Sequence, residues 1–212
     1  MESLGNILKA AFPQQSSHQR NLPAINVSLD ELLGTIESIV IQDGRESFCA
    51  EAIQRQANVL AEWLRGEGEC AEKDTVFLWG NVGTGKTTIL RAVRLILERR
   101  NKVMHIFHAV TMCDLAATNI QEFVKEQTTY FLGIDDLGEE PEKIMNYGTP
   151  IYPIRSLLER RYSLCLPTFI SANISPEHVR ERYGERVADR MGQIAFSLSF
   201  PGESLRTSQD FY

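Results

Sequence analysis

The sequence predicts a three-layer α/β fold, a parallel five-stranded sheet with helices on both faces, preceded by a short helical extension. Three observations lead there. The octet Gly80-Asn81-Val82-Gly83-Thr84-Gly85-Lys86-Thr87 fits the phosphate-loop pattern G-x-x-x-x-G-K-[ST] in full. It lies between an apolar, strand-like run, Thr75–Trp79, and an amphipathic stretch from Thr87 to Arg99, the context in which that pattern binds a nucleotide triphosphate. From Thr75 onward β-rich and helical segments alternate, which calls for parallel strands joined by crossover helices and a ligand site at the strands' carboxyl ends.

Length and composition set the limits. A chain of 212 residues has room for one α/β domain and a modest extension, but not for a second full domain. Its 43% hydrophobic content is that of a globular protein, no apolar run reaches bilayer length, and the N-terminus has no secretory pattern, so we expect a cytoplasmic protein with no membrane partner. Cys49, Cys70, Cys113 and Cys165 are scattered without a C-x-x-C pair, which argues against a zinc site or a disulfide framework. The net charge of −6 is unevenly distributed: residues 1–74 hold 6 basic and 12 acidic side chains, and residues 75–212 hold 16 of each. An acidic flank repels phosphate backbones and suits protein contact.

Taken in order, residues 1–24 carry Gln14-Gln15-Ser16-Ser17-His18 and prolines 13 and 23, the composition of a loosely ordered arm. Residues 25–74 form the helical extension, a possible partner contact. Leu32, Leu33, Ile36, Ile39 and Val40 recur at helical spacing over Asp30–Ile41, and Ile53, Val59, Leu60 and Trp63 do so over Phe48–Leu64. Residues 75–212 form the nucleotide core. Its later strands are expected at Val103–Ala109, Thr128–Asp136, Pro167–Ile174 and Ile194–Phe200, with helices at Ile154–Tyr162 and Ser175–Tyr183. The acidic stretch from Glu139 to Pro150 reads as an exposed loop.

The chemistry follows from the strand ends. Gly80, Gly83 and Gly85 allow a tight turn whose N–H groups face phosphate oxygens at a helix N-terminus. Lys86 can reach the β- and γ-phosphates, Thr87 can ligate Mg²⁺, and Thr88 extends the nucleotide-binding set. Phe131-Leu132-Gly133-Ile134-Asp135-Asp136 is an apolar run ending in two carboxylates. Asp135 is the metal-side acid, and Asp136 is placed to orient or deprotonate an attacking water, as a hydrolase requires. Asn173 ends another apolar run and can hold the γ-phosphate or the water. Further on, Arg186 and Arg190 are four residues apart and share one helical face. They are suited to a phosphate in a neighbouring subunit or, alternatively, to a salt bridge with Glu185, Asp189 or another surface acid.

Five stretches resemble, in order and spacing, the DnaC-type helicase-loader ATPases of the AAA+ class, whose core the IstB-type transposition ATPases share. They are the octet, Gly133 to Gly138, Thr168 to Ile174, Gly184 to Met191, and Glu203-Ser204-Leu205-Arg206, spanning roughly residues 75 to 206. The resemblance implies ATP and Mg²⁺ as cofactors, Asn173 as the sensor-1 residue, Arg190 with Arg186 second as the arginine finger, and Arg206 as a sensor-2-like arginine. It also implies slow hydrolysis stimulated by assembly or partner, a side-by-side homo-oligomer, and action on a replicative ring helicase and on DNA, single-stranded first. The alternatives are a duplex-binding transposition ATPase serving a transposase, and a nucleotide-dependent interaction protein with negligible turnover. Two features depart from the pattern: Asp136 stands where AAA+ proteins generally carry Glu, and Arg91, Arg94, Arg99, Arg100, Lys102 and Lys125 form no dense basic patch.

Overall fold

The computed structural model describes residues 20–45, 49–146, 148–202 and 204–205. Five parallel strands form the sheet: β1 (Thr75–Gly80), β2 (Met104–His108), β3 (Phe131–Leu137), β6 (Thr168–Ala172) and β7 (Ala195–Phe200), in the order β2-β3-β6-β1-β7. β1 lies between β6 and β7, and β6 separates it from β3, so the loops leaving β1, β3 and β6 emerge side by side at one edge of the sheet. That adjacency makes a site there possible.

Both faces of the sheet are covered, and side chains alternate between them as strand geometry requires. Val76 and Leu78 of β1 and Phe169 of β6 join one core, whereas Phe77 and Ile170 join the other. The first core is closed by α1 (Leu29–Gln42), α2 (Gln54–Arg65) and α3 (Lys86–Glu98). The second is closed by α4 (Ala109–Thr118), α5 (Ile120–Gln127), α6 (Pro153–Ser163), α7 (Pro176–Tyr183) and α8 (Glu185–Ile194).

Local signals explain where these helices start and stop. Ser28 caps α1 by accepting the Glu31 N–H at 3.0 Å. Gly66, at φ 79°, ends α2, and prolines open α6 and α7. The helix expected over Phe48–Leu64 begins later, at Gln54, after a 3-10 turn at Ala50–Ala52. Phe48 lies outside the described residues.

The apolar faces of α1 and α2 are buried on the nucleotide core. Leu32, Ile36 and Ile39 pack with Leu90, Val93 and Ile96 of α3 in one cluster. Trp63 meets Phe169 edge-on at 5.8 Å between ring centroids, and its Nε1 donates to the Lys73 carbonyl at 2.9 Å. Of the arm expected over residues 1–24, residues 1–19 lie outside the described region. Arg20, however, donates to the carbonyls of Trp63, Ala71 and Lys73 at 2.7–3.0 Å, and Leu22 is buried.

Within the stretch expected to be an exposed loop, β4 (Ile144–Asn146) and β5 (Thr149–Ile151) pair as an antiparallel hairpin. Glu140 at its base is buried, accepting from the Gly138 N–H at 2.8 Å and the Tyr183 hydroxyl at 2.6 Å. A carboxylate with that many donors is stable out of water, and composition alone does not show them.

Candidate nucleotide site

The P-loop joins β1 to α3, and its glycines are fixed by what surrounds them. Gly80 has φ 143°, and a Cβ there would lie 2.2 Å from the Phe200 carbonyl oxygen of the neighbouring strand. At Gly83, with φ 82°, a Cβ would lie 2.1 Å from Ser204 Oγ. The segment after β7 closes over the loop: Leu205 N–H donates to the Gly83 carbonyl at 2.9 Å and Asn81 Nδ2 to the Gly202 carbonyl at 2.9 Å. Thr84 is buried, and its hydroxyl donates to the Asn81 carbonyl at 2.9 Å. The buried Lys86 ammonium donates to the carbonyls of Gly80 at 2.9 Å and Asn81 at 2.6 Å.

The tip of β3 meets this loop directly. Thr87 Oγ1 donates to Asp135 Oδ1 at 3.0 Å, and Ser171 Oγ of β6 donates to the same oxygen. The β3–β6 ladder breaks between Ile134 and Leu137, and Asp136 sits at φ 53°, in the left-handed region. Simple alternation is therefore not what separates the two carboxylates. The break turns Asp136 toward β2, where His108 Nε2 lies 3.1 Å from its Oδ2, while the Asp136 N–H donates to Ser171 Oγ at 3.0 Å. Burial first, and then the charge of Asp135, push the Asp136 carboxyl above its ordinary range, against the pull of His108.

A cleft of about 260 Å³ brings these tips together, lined among others by Val82, Gly83, Gly85, Lys86, Thr87, Thr88, Asp136 and Asn173. Asn173 Nδ2 donates to Glu139 Oε1 at 2.8 Å, and Glu139 itself lines the cleft. Arg186 and Arg190 do not line it. Arg186 Nε lies 3.8 Å and Arg190 Nη1 4.0 Å from the two oxygens of Glu159, and Arg190 stacks over the Tyr162 ring at 4.9 Å. Glu185 and Asp189, the acids nearest them in sequence, are taken by Arg180 at 2.7 and 3.3 Å. Arg206 lies outside the described residues.

Four residues at the site escape the sequence reading. His108 and Ser171 carry a usable signal, a polar side chain at or near the end of an apolar strand, the same signal that marks Asp135 and Asn173. Glu139 is visible only as part of an acidic stretch. Arg45, from the connection after α1, lines the cleft, and nothing in the sequence of an acidic extension marks it.

The residues fit a nucleotide triphosphate with a hard cation. Thr87 and Asp135 present oxygen donors at the helix end that favours phosphate. Among the described residues no group of three or more His, Cys, Asp or Glu could hold a metal ion. A divalent cation here needs phosphate and water oxygens beside those two, the usual habit of Mg²⁺. Also among the described residues, no helix is long and apolar enough to cross a membrane.

No family model matches the chain. The replicative helicase loader DnaI of Bacillus subtilis (strain 168) is 24% identical over 217 residues, covering 94% of this chain and 67% of its own length. A crystal structure of DnaI superposes with a TM-score of 0.59 and 21% identity, covering 89% of this chain and all of that one. The DnaC helicase loader gives 0.54 and 18%, covering 74% and 94%. AMPPCP-bound DnaA from Aquifex aeolicus gives 0.51 and 20%, covering 72% of this chain and 48% of that one. The chain therefore has the α/β fold of AAA+ P-loop proteins, similar in sequence to the helicase loader DnaI and in architecture to DnaI, DnaC and DnaA.

Proposed function

We propose that the chain is a helicase loader, an ATP-binding and ATP-hydrolysing accessory of replication that acts in the cytoplasm on a ring helicase and single-stranded DNA. The observation that carries the ATPase reading is the convergence of the P-loop, Asp135, Asp136 and Asn173 at three adjacent strand ends, joined by the 3.0 Å contact from Thr87 to Asp135. Similarity to DnaI supports the choice of partner. The AMPPCP bound to DnaA, whose fold this chain shares, supports an adenine nucleotide.

Backbone N–H groups of the Gly83–Thr87 turn, with Lys86, would hold the phosphates, and Thr87 and Asp135 would hold Mg²⁺. When bound, the nucleotide supplies a phosphoanhydride whose cleavage is downhill. Asp136 orients a water and takes its proton; a carboxylate whose affinity for protons is raised by burial is the better base for that work. Asn173 fixes the water's other side. Asp136 is shorter than the usual Glu, and the reach it loses favours slow turnover. Arg186 and Arg190, outside their own chain's cleft, serve a neighbouring copy, so hydrolysis depends on side-by-side assembly.

The test is capture of a replicative ring helicase by the chain with ATP and then with ADP, alongside phosphate release with and without single-stranded DNA. Nucleotide-dependent capture and DNA-stimulated release are expected. Lys86→Ala loses a charge-assisted contact and should weaken nucleotide binding about 10- to 100-fold; affinity equal to the parent's would displace the site. Filaments on duplex DNA with capture of a transposase would replace this reading with the transposition one, and capture without any turnover would leave only an interaction protein.

A further inference from the structure

Glu159 of α6 has a side chain 26% exposed, but one of its carboxylate oxygens is buried. Its Oε1 is sealed from solvent and accepts no hydrogen bond among the described residues, an arrangement that costs stability unless something else uses it. Three guanidinium groups lie near the carboxylate: Arg155 Nε at 3.7 Å and Arg186 Nε at 3.8 Å from Oε1, and Arg190 Nη1 at 4.0 Å from Oε2. These separations give Coulomb attraction without hydrogen bonds, and among the described residues no hydrogen bond ties Arg186 or Arg190 elsewhere. Since Arg180 takes Glu185 and Asp189, Glu159 is the anion that offsets the mutual repulsion of the arginine pair. Tyr162, one helical turn along α6, provides the ring on which Arg190 lies, and its hydroxyl donates to Gln193 of α8 at 2.7 Å.

We propose that Glu159 is the positioning residue for Arg186 and Arg190: it gathers both guanidinium groups on one face of α8 by charge alone, leaving their N–H donors to a phosphate bound by a second copy of this chain. This rests on the reading of those arginines as acting in trans. A hydrogen-bonded partner would have to be broken before the arginines could serve a phosphate, whereas an ion at nearly 4 Å holds them in place and lets them donate.

A mixing experiment separates the two ideas. Lys86→Ala, which holds nucleotide weakly but has both arginines, is combined with Arg190→Ala, which holds nucleotide but lacks the principal arginine, at a nucleotide concentration that fills only the Arg190→Ala sites. Turnover is followed as phosphate release, and melting of each variant checks that it folds. Recovery of turnover on mixing is expected; none at any concentration overturns the trans reading and Glu159's role with it. Glu159→Gln, neutral and of equal size, is then added to one component at a time. On the Lys86→Ala component it should cut the recovered rate about 10- to 100-fold, the cost of misplacing a charged group. On the Arg190→Ala component it should cut it less than about twofold, since that copy's principal arginine is already gone. Equal loss from either component, or none from the first, overturns the proposal even where recovery itself succeeds.

Discussion

Asp136 sits at φ 53° beside a second carboxylate, with its side chain 29% exposed. A left-handed backbone and a neighbouring like charge gathered at one residue are features common at functional sites. The direction of its shift fixes the pH behaviour. A carboxyl held above its ordinary range binds its proton more tightly folded than unfolded. Folding is therefore unaffected below the unfolded carboxyl range, loses stability as pH rises from there to the folded value, and carries the full penalty above it. Asp136→Asn removes that penalty, keeps the shape and tolerates the same φ. It should melt above the parent at pH 7.5 and lose that advantage as the pH falls into the ordinary carboxyl range. Phosphate release should fall about 10²- to 10⁴-fold. Calorimetry at pH 7.5 and in that lower range would refute this if the variant melted lower at pH 7.5. The identity of Asp136 was legible as the second of two polar residues ending an apolar run. Its partner His108, 28 positions earlier, was not, because only the pairing of β2 with β3 sets them together.

At the scale of elements, the P-loop glycines serve different ends, although their spacing makes them look alike. Gly80 is needed because β7 runs against it. Gly80→Ala should cost about 2–4 kcal/mol from clash and backbone strain together, lowering the melting temperature by roughly 5–15 °C. Gly34, exposed on α1 with nothing within 4 Å of a new Cβ, gives the opposite sign: Gly34→Ala should add about 0.5–1 kcal/mol by helix propensity. Thermal melting of the pair checks both, and equal effects would show that the close approach at Gly80 does not matter. The five strands were legible to within a few residues because each is an apolar run bounded by turn residues. The hairpin of β4 and β5 was not. Its strands are three residues each, one contains Pro150, and neither buries a full face, so nothing in the pattern distinguishes it from a loop.

Across the whole molecule, the extension and the nucleotide core share one interior. Leu32, Ile36, Ile39, Ile53, Leu60, Trp63 and Leu64 are all buried in the cluster that also holds Val76, Val93 and Phe169. Burying seven such side chains contributes on the order of 10–20 kcal/mol, comparable to the net stability of a whole domain. A chain of residues 75–212 alone should therefore fail to fold; circular dichroism showing a soluble fragment that unfolds cooperatively would refute this. Four of the six basic residues that form no dense patch are also tied within the chain. Arg91 pairs with Asp43 at 2.5 Å, Arg100 with Glu31 at 2.7 Å, Arg94 with Glu98 at 2.8 Å and Lys125 with Glu122 at 2.9 Å. The first two pairs link α3 and the residues after it to α1 and its C-terminal cap, so the acidity of the extension serves in part to bind the core.

The amino-acid order by itself determined the α/β class, the P-loop, and the two strand ends carrying Asp135, Asp136 and Asn173, because each is written in consecutive residues and short-range periodicity. The tertiary structure alone decided which strand ends are neighbours, that α1 and α2 close the core, that Arg45 reaches the cleft and His108 meets Asp136, and that Glu159 faces the arginines of α8. Those relations depend on strand order and helix packing, which arise from contacts between segments far apart in the chain and leave no local pattern to read.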